Sequence, residues 1–135
     1  MSFVTWEDSM SVNVKEIDDQ HKKLISLINE LHDGIQSGEE KEILGYVLEE
    51  LINYTRYHFS AEERRMKQFS YIGYLEHKRE HDDLTDQVLS LKGKYDRGES
   101  ALSNEVSSFL KDWLTNHIKG TDKKYTAFFN SKGIM

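Results

Sequence analysis

The sequence predicts an all-α protein, an antiparallel up-down-up-down four-helix bundle with an extended N-terminal arm. Apolar residues recur every three or four positions in four successive segments, which is the period of one helix face. Gly38, Gly73 and Gly98 mark turns between these segments. The 135 residues include no proline, so long helices are not interrupted by that residue. Short connections between helices favour antiparallel neighbours.

The elements follow from this periodicity. Residues 1–16 lack a helical period and are predicted to form the arm. Helices are predicted at about residues 18–37, 40–69, 74–97 and 103–129. Asp18 is a candidate N-cap of the first helix. Because we find no repeat, no low-complexity linker and no strand-like alternation of useful length, residues 1–135 are interpreted as a single domain.

Composition excludes several classes of function. A net charge of −6 without a basic block argues against binding to nucleic acid, which needs clustered Lys and Arg. No cysteine is present, so thiolate metal sites and disulfides are excluded. No apolar run approaches the roughly 20 residues of a membrane span, and the N-terminus does not resemble a signal peptide. We therefore expect a cytoplasmic protein that does not bind membranes. A monomer is the preferred assembly state, and an oligomer is the alternative.

Histidine or carboxylate interrupts the inward-facing stripe of all four predicted helices. Burying such groups is costly unless something compensates them. In an up-down bundle, the starts of helices one and three lie beside the ends of helices two and four. At a rise of about 1.5 Å per residue, the interrupting residues should therefore share one layer. They are His21, His58, Glu62, His77, His81, His117 and Asp122. This convergence predicts a metal site.

Spacing supports the same interpretation. His77 and His81 lie one helical turn apart and can face one ion, as can His58 and Glu62. Either pair alone would usually be a chance or surface feature, so the prediction depends on their convergence. His32 is a useful contrast, because it lies about 16 Å along the axis from His21 and is predicted to be a rim or capping residue.

The fourth helix requires a local irregularity. His117 and Asp122 are five residues apart. On a regular α-helix this spacing separates two side chains by about 140°, so they would not share a face. We therefore predict a π-type bulge near Gly120, a feature that is frequent at functional sites.

Ligand chemistry narrows the choice of metal. Imidazole and carboxylate ligands without thiolate suit Fe, Zn, Cu or Ni. Seven ligands exceed the usual complement of one ion, whereas two ions sharing bridging carboxylates would use them all. Composition alone leaves di-iron and dizinc centres open.

These motifs resemble the hemerythrin family, in particular its single-domain bacterial members. The resemblance covers the whole chain, includes Trp6 in the arm, and leaves no ligand position substituted. The motifs are Asp18-Asp19-Gln20-His21, His58-Phe59-Ser60-Ala61-Glu62-Glu63, His77-x-x-x-His81 and His117-Ile118-Lys119-Gly120-Thr121-Asp122. The resemblance implies reversible O2 binding, rather than enzyme activity, at a non-haem di-iron centre with a bridging oxo or hydroxo group.

The resemblance also implies roles for individual residues. His77, His81 and His117 would complete a six-coordinate iron. His21 and His58 would hold the other iron, which keeps an open position for O2, and Glu62 and Asp122 would bridge the pair. An apolar oxygen pocket would be formed by residues that could equally be ordinary core: Leu24, Phe59, Trp113, Leu114 and Ile118.

Other functions fit the same scaffold. The O2-binding reading covers transport, storage, delivery or sensing of oxygen. The main alternative is a di-iron redox enzyme, such as an oxidase or a protein that consumes peroxide or nitric oxide. Two further hypotheses are a sensory module cut from a longer protein and a bundle whose metal is purely structural.

Overall fold

The structure is a computed structural model that describes residues 3–98 and 104–135. The described residues form four long helices and contain no strand, which confirms the predicted all-α bundle. The helices are α1 (Lys15–Ser37), α2 (Lys41–Gln68), α3 (Tyr74–Asp96), α4 (Asn104–Asn116) and, after an irregular stretch, the short α5 (Thr126–Ser131). The fourth helix was predicted to start at about residue 103, which lies outside the described residues.

The helices pack in the order of an up-down bundle, with α1 against α2 and α4, and α2 against α3. The buried apolar residues form two clusters. The larger one fills most of the bundle and includes the fully buried Leu31 and Leu48. The smaller one, at one end, consists of Val12, Val14, Ile17, Met66, Tyr125 and Phe129. Along the helices, a layer of buried polar residues lies between these two clusters. Apolar side chains therefore shield the layer at both ends.

Helix α1 begins three residues earlier than periodicity suggested, and Asp18 is not its N-cap. Val14 occupies the cap position, while Asp18 lies in the first turn. The Asp18 carboxylate instead accepts hydrogen bonds from the backbone N–H of Val12 and the hydroxyl of Ser11. At the other end, Gly38 has a φ of 71° and its neighbour Glu39 donates to the carbonyl of Gly34, which is the left-handed helix ending that glycine favours.

The N-terminal arm is shorter and less extended than predicted. Residues 15 and 16 belong to α1, and Asp8–Met10 forms a short 3-10 turn. The arm packs on α1 through buried side chains, among them Val4 and Val12. The Asn29 side chain accepts a hydrogen bond from the Val4 N–H (2.7 Å) and donates one to the Val4 carbonyl (2.9 Å). Local periodicity could not reveal these contacts, because they join residues far apart in sequence.

Within residues 3–98 and 104–135, no helix has the length and apolar character needed to cross a bilayer.

The bonds between Asp18 and the arm lead to a first prediction. Replacing Asp18 with alanine leaves the N–H of the fully buried Val12 unpaired, so the free energy of unfolding should fall by about 1–3 kcal/mol. Asp19→Ala is the matched control, because Asp19 is exposed and pairs with the exposed Lys15. It should leave stability within error. Chemical denaturation followed by circular dichroism, at constant metal content, measures both. Equal effects of the two substitutions would contradict the role given to Asp18.

Candidate metal centre

The structure brings all seven predicted residues together in the polar layer. Each of the seven residues is at most 3% exposed. His21 comes from α1, two residues from α2, two from α3, and the last two from the irregular stretch after α4. Their ligand atoms form two overlapping groups, each with all its atoms within 4.8 Å of one another.

The first group contains three imidazoles and two carboxylates: His77, His81, His117, Glu62 and Asp122. Oδ1 of Asp122 lies 2.7 Å from Nε2 of His77 and 3.0 Å from Nε2 of His117. The Nε2 atoms of His81 and His117 are 3.2 Å apart. Oε1 of Glu62 completes the group at 3.5 Å from Nε2 of His81.

The second group contains His21 and His58 with the same two carboxylates. Oδ2 of Asp122 lies 3.0 Å from Nε2 of His21, so the two oxygens of Asp122 face different groups. Oε1 of Glu62 is 3.0 Å from Nε2 of His58. Both carboxylates therefore contact histidines of both groups, which is the arrangement that a pair of bridged ions requires.

A π-helical segment positions the last ligands, as the five-residue spacing predicted. It spans His117–Thr121 and ends with the N–H of Asp122 donating to the carbonyl of His117. A 3-10 turn, Asp122–Tyr125, follows it. The wider turn brings side chains five residues apart onto one face. A Cβ at Gly120 would meet nothing within 4 Å among the described residues, so close packing does not explain that glycine.

The electrostatics of the carboxylates favour the charged form. Burial acts to raise the pKa of Asp122, but the positive charge of His117, in close contact, holds it well below its usual range. Burial and the nearby Asp122 charge likewise act to raise the pKa of Glu62, yet the charge of His58, in close contact, keeps that pKa below normal. Two negative charges therefore persist in the interior.

The histidines share the compensating protons unequally. Burial acts to lower the pKa of His117, but the charge of the adjacent Asp122 carboxylate raises that pKa to about 9. Burial also opposes protonation of His81, but the nearby carboxylates of Glu62 and Glu63 leave its pKa raised. At His58 burial prevails, and the pKa is lowered. A metal ion entering the cluster must displace such protons.

Four residues to which the sequence analysis gave no role contact the candidate ligands. Gln20 on α1 lies against Nδ1 of His58 (2.6 Å), Glu63 on α2 against Nδ1 of His81 (2.8 Å), and Glu80 on α3 against Nδ1 of His117 (3.1 Å). Each is adjacent in sequence to one ligand and contacts a ligand on the following helix. Tyr125, fully buried, donates its hydroxyl proton to Oε2 of Glu62. For Gln20, Glu63 and Glu80, adjacency to a predicted ligand was the available signal.

The donor set fits metal ions. Among the described residues, His77 Nε2, Glu62 Oε1, both Asp122 oxygens and both His21 nitrogens are buried without an aligned hydrogen-bond partner. The His21–Asp122 and His77–Asp122 pairs are close, yet their angles are not those of hydrogen bonds. Neighbouring donors on an octahedral ion, with bonds of about 2.1 Å, lie about 3 Å apart. The closest contacts within each group have this spacing, so the convergence suits coordination.

Aromatic and aliphatic side chains enclose the cluster on the side of the larger apolar core. The Phe59 ring stacks on His81 with centroids 3.7 Å apart, and Trp113 stacks on His117 at 4.4 Å. Leu24, Phe59, Trp113 and Leu114 line a small internal cavity of about 20 Å³. Its other lining is aliphatic except for Thr55, whose hydroxyl donates to a backbone carbonyl. The fifth predicted pocket residue, Ile118, is fully buried in the same core but does not line this cavity.

His32 lies apart from both ligand groups, as expected from its position along α1. Its ring stacks on Phe3 of the arm at 3.8 Å, and its Nδ1 is 3.1 Å from the hydroxyl of Ser107.

Comparison with known proteins agrees with this geometry. Residues 12–129 match the family model described as "Hemerythrin HHE cation binding domain". The chain is 38% identical to a bacteriohemerythrin of Methylococcus capsulatus over 93% of this chain and 95% of that protein. It is 33% identical to a bacteriohemerythrin of Stenotrophomonas maltophilia, covering 93% of this chain and 80% of that one. A crystal structure of wild-type hemerythrin superposes with a TM-score of 0.90 at 35% identity, covering 93% and 97% of the two chains. The chain therefore belongs to the hemerythrin family, whose members are not enzymes but bind O2 reversibly at a non-haem di-iron centre.

Proposed function

We propose that the seven clustered side chains are the iron ligands of this chain and that they divide into two unequal sites. His77, His81 and His117 hold one iron, and His21 and His58 hold the other. Glu62 and Asp122 bridge the two positions. When bound, the pair of irons supplies the electrons that reversible O2 binding requires. The site with two histidines is the one that keeps a position for O2.

The observation that carries this proposal is the unequal number of donors around two shared carboxylates. One group offers three imidazoles and the other two, although burial is equally complete in both. Leu24, which lines the apolar cavity, lies one turn after His21 on α1. The cavity also borders the three-histidine group through Phe59 and Trp113, so a small apolar molecule in it is close to the whole cluster.

The surrounding residues fix the ligands and keep water away. The stacked rings of Phe59 and Trp113 restrict rotation of His81 and His117. Burial and the nearby charges of Asp122 and Glu62 raise the pKa of Tyr125 well above its usual value, so its hydroxyl keeps the proton that it donates to Glu62. Rigid, dry surroundings favour reversible binding, because water and protons that could carry off reduced oxygen are kept from the site.

Further proposals concern the setting of the protein. We propose that it works as a monomer in the cytoplasm and does not bind nucleic acid. The net charge of −6 supports the last of these. Light scattering, cell fractionation and a gel-shift assay test the three statements separately.

The ligand assignment predicts metal content. Purified protein should contain two irons per chain, and His77→Ala should hold about one or fewer because it removes a terminal donor. His32→Ala is the matched control, since His32 belongs to neither ligand group, and it should keep both irons. Elemental analysis against protein concentration measures this. Zinc as the main metal, or two irons in His77→Ala, would contradict the assignment.

The binding function itself predicts a reversible spectrum. Reduced protein mixed with O2 in a stopped-flow instrument should develop a new absorption spectrum, and removal of O2 should restore the starting one over repeated cycles. We expect the cycles to be repeatable because the buried site excludes water and reductant. A single irreversible oxidation would refute the proposal. Steady consumption of added reductant with O2, peroxide or nitric oxide would instead indicate the enzyme reading.

The wall of the cavity predicts the lifetime of the reduced protein. Leu114→Ala should speed oxidation of the reduced protein in air at least several-fold, because Leu114 lies one turn before His117 and its loss admits water. Leu31→Ala removes the same volume from the core without touching the cavity lining. Both cost about 2–5 kcal/mol of stability, so only the faster oxidation should separate them. Equal oxidation rates at unchanged iron content would remove Leu114 from the role of barrier.

A further inference from the structure

We infer that the two metal positions fill in a fixed order, three-histidine site first, and that Glu63, Glu80 and Gln20 set this order by acting on the ligands they contact. The inference rests on the proposed division of the ligands into two sites. The three residues are positioning residues, because each contacts the far nitrogen of an imidazole rather than the metal position.

Carboxylates support two imidazoles of the three-histidine site. Oε2 of Glu63 is 2.8 Å from Nδ1 of His81, and Oε1 of Glu80 is 3.1 Å from Nδ1 of His117. The Glu80 carboxylate is itself held, since the hydroxyl of Thr121 donates to both of its oxygens at 2.8 and 3.0 Å. Thr121 belongs to the π segment, so the same backbone irregularity that delivers Asp122 also fixes Glu80.

The two-histidine site has a neutral partner instead. Oε1 of Gln20 lies 2.6 Å from Nδ1 of His58, and Gln20 is buried. Nδ1 of His21 has no hydrogen-bond partner among the described residues. The amide of Gln20 can fix the ring of His58 with its N–H outward, as a carboxylate would, but it brings no negative charge.

This difference has a chemical consequence. A carboxylate that accepts the N–H of a ligating imidazole increases the negative charge on the ring and makes its other nitrogen a stronger donor. Removal of such partners typically costs 10–100-fold in metal affinity. A neutral amide orients the ring with a smaller gain in donor strength. Two charged partners and one more imidazole therefore act together in favour of the three-histidine site.

The order has a functional consequence. When metal is scarce, the protein should hold a single ion in the three-histidine site and leave the site that takes O2 unfilled. Full O2 binding then requires a second, weaker loading step. Gln20 places that step at a higher free metal concentration than a glutamate in the same position would.

The test is stepwise loading of metal-free full-length protein with Co(II), without air, followed by its absorption spectrum and by competition with a chelator of known affinity. Crystals containing one equivalent of Co(II) give the location by anomalous scattering. We expect the first ion among His77, His81 and His117. Glu80→Gln should weaken the first step about 10–100-fold and leave the second nearly unchanged, since it keeps the shape of the side chain and removes its charge.

Two further variants make the test independent of folding defects. Gln20→Glu keeps the oxygen that contacts His58 and should strengthen the second step, an opposite change that mere structural damage would not produce. Glu76→Gln is the matched control, because Glu76 is exposed and lies one turn before Glu80 on α3. It should change neither step.

The inference is overturned if the first ion lies at His21 and His58, or if neither Glu80→Gln nor Gln20→Glu shifts its step. Those outcomes leave the proposed function standing as long as the wild-type protein still takes two metal ions and binds O2 reversibly with iron. A wild-type protein that binds one ion in total would refute the proposed two-site division itself.

Discussion

Two carboxylates enclosed by imidazoles in a dry interior are the constraint on which the rest of this structure depends. Glu62 and Asp122 are both fully buried, and their ionised forms persist. Burying an unpaired ion costs on the order of several kcal/mol even after relaxation. Hydrogen bonds within the chain offset only part of this, because Asp122 has two oxygens without an aligned donor among the described residues. Structural Zn²⁺ returns about 10–16 kcal/mol in zinc-finger peptides, so bound metal ions can offset the remainder of this cost.

The supports of the ligands follow the order of the helices. A residue of α1 contacts a ligand of α2, a residue of α2 contacts a ligand of α3, and a residue of α3 contacts a ligand after α4. Since α1 packs on α2 and α2 on α3, the first two supports reach across an interface between consecutive helices, and Glu80 joins α3 to the segment after α4. Any slip of one helix against the next would therefore misplace an imidazole. The metal site and the packing of the bundle consequently stabilise each other, so that neither is a passive scaffold for the other.

Features that depend on residues close together in sequence could be predicted, whereas contacts between distant residues could not. Helical period and the height of His21 or Asp122 along an axis are local properties, so the fold class, the common layer and the π segment followed from spacing. The role of Asp18 did not, since the competing arm residues Ser11 and Val12 lie outside the helix. The supports of the ligands were missed for the same reason. Gln20 contacts His58, 38 positions away, and spacing along one helix carries no information on that distance.

Selectivity and reactivity have different origins in this molecule. The cavity of about 20 Å³ has room for a molecule of roughly the size of water. A water there would need two to four polar partners, whereas the lining is almost wholly apolar and Thr55 directs its hydroxyl to the backbone. An apolar diatomic molecule gives up no hydrogen bonds by entering. We therefore propose that packing of Leu24, Phe59 and Leu114 favours O2 over water before any ligand acts. We propose that the charged and neutral supports behind the imidazoles then distinguish two metal positions that share the same carboxylates. On this proposal the apolar core selects the small molecule that reaches the site, and the polar layer selects the position that a metal ion fills first.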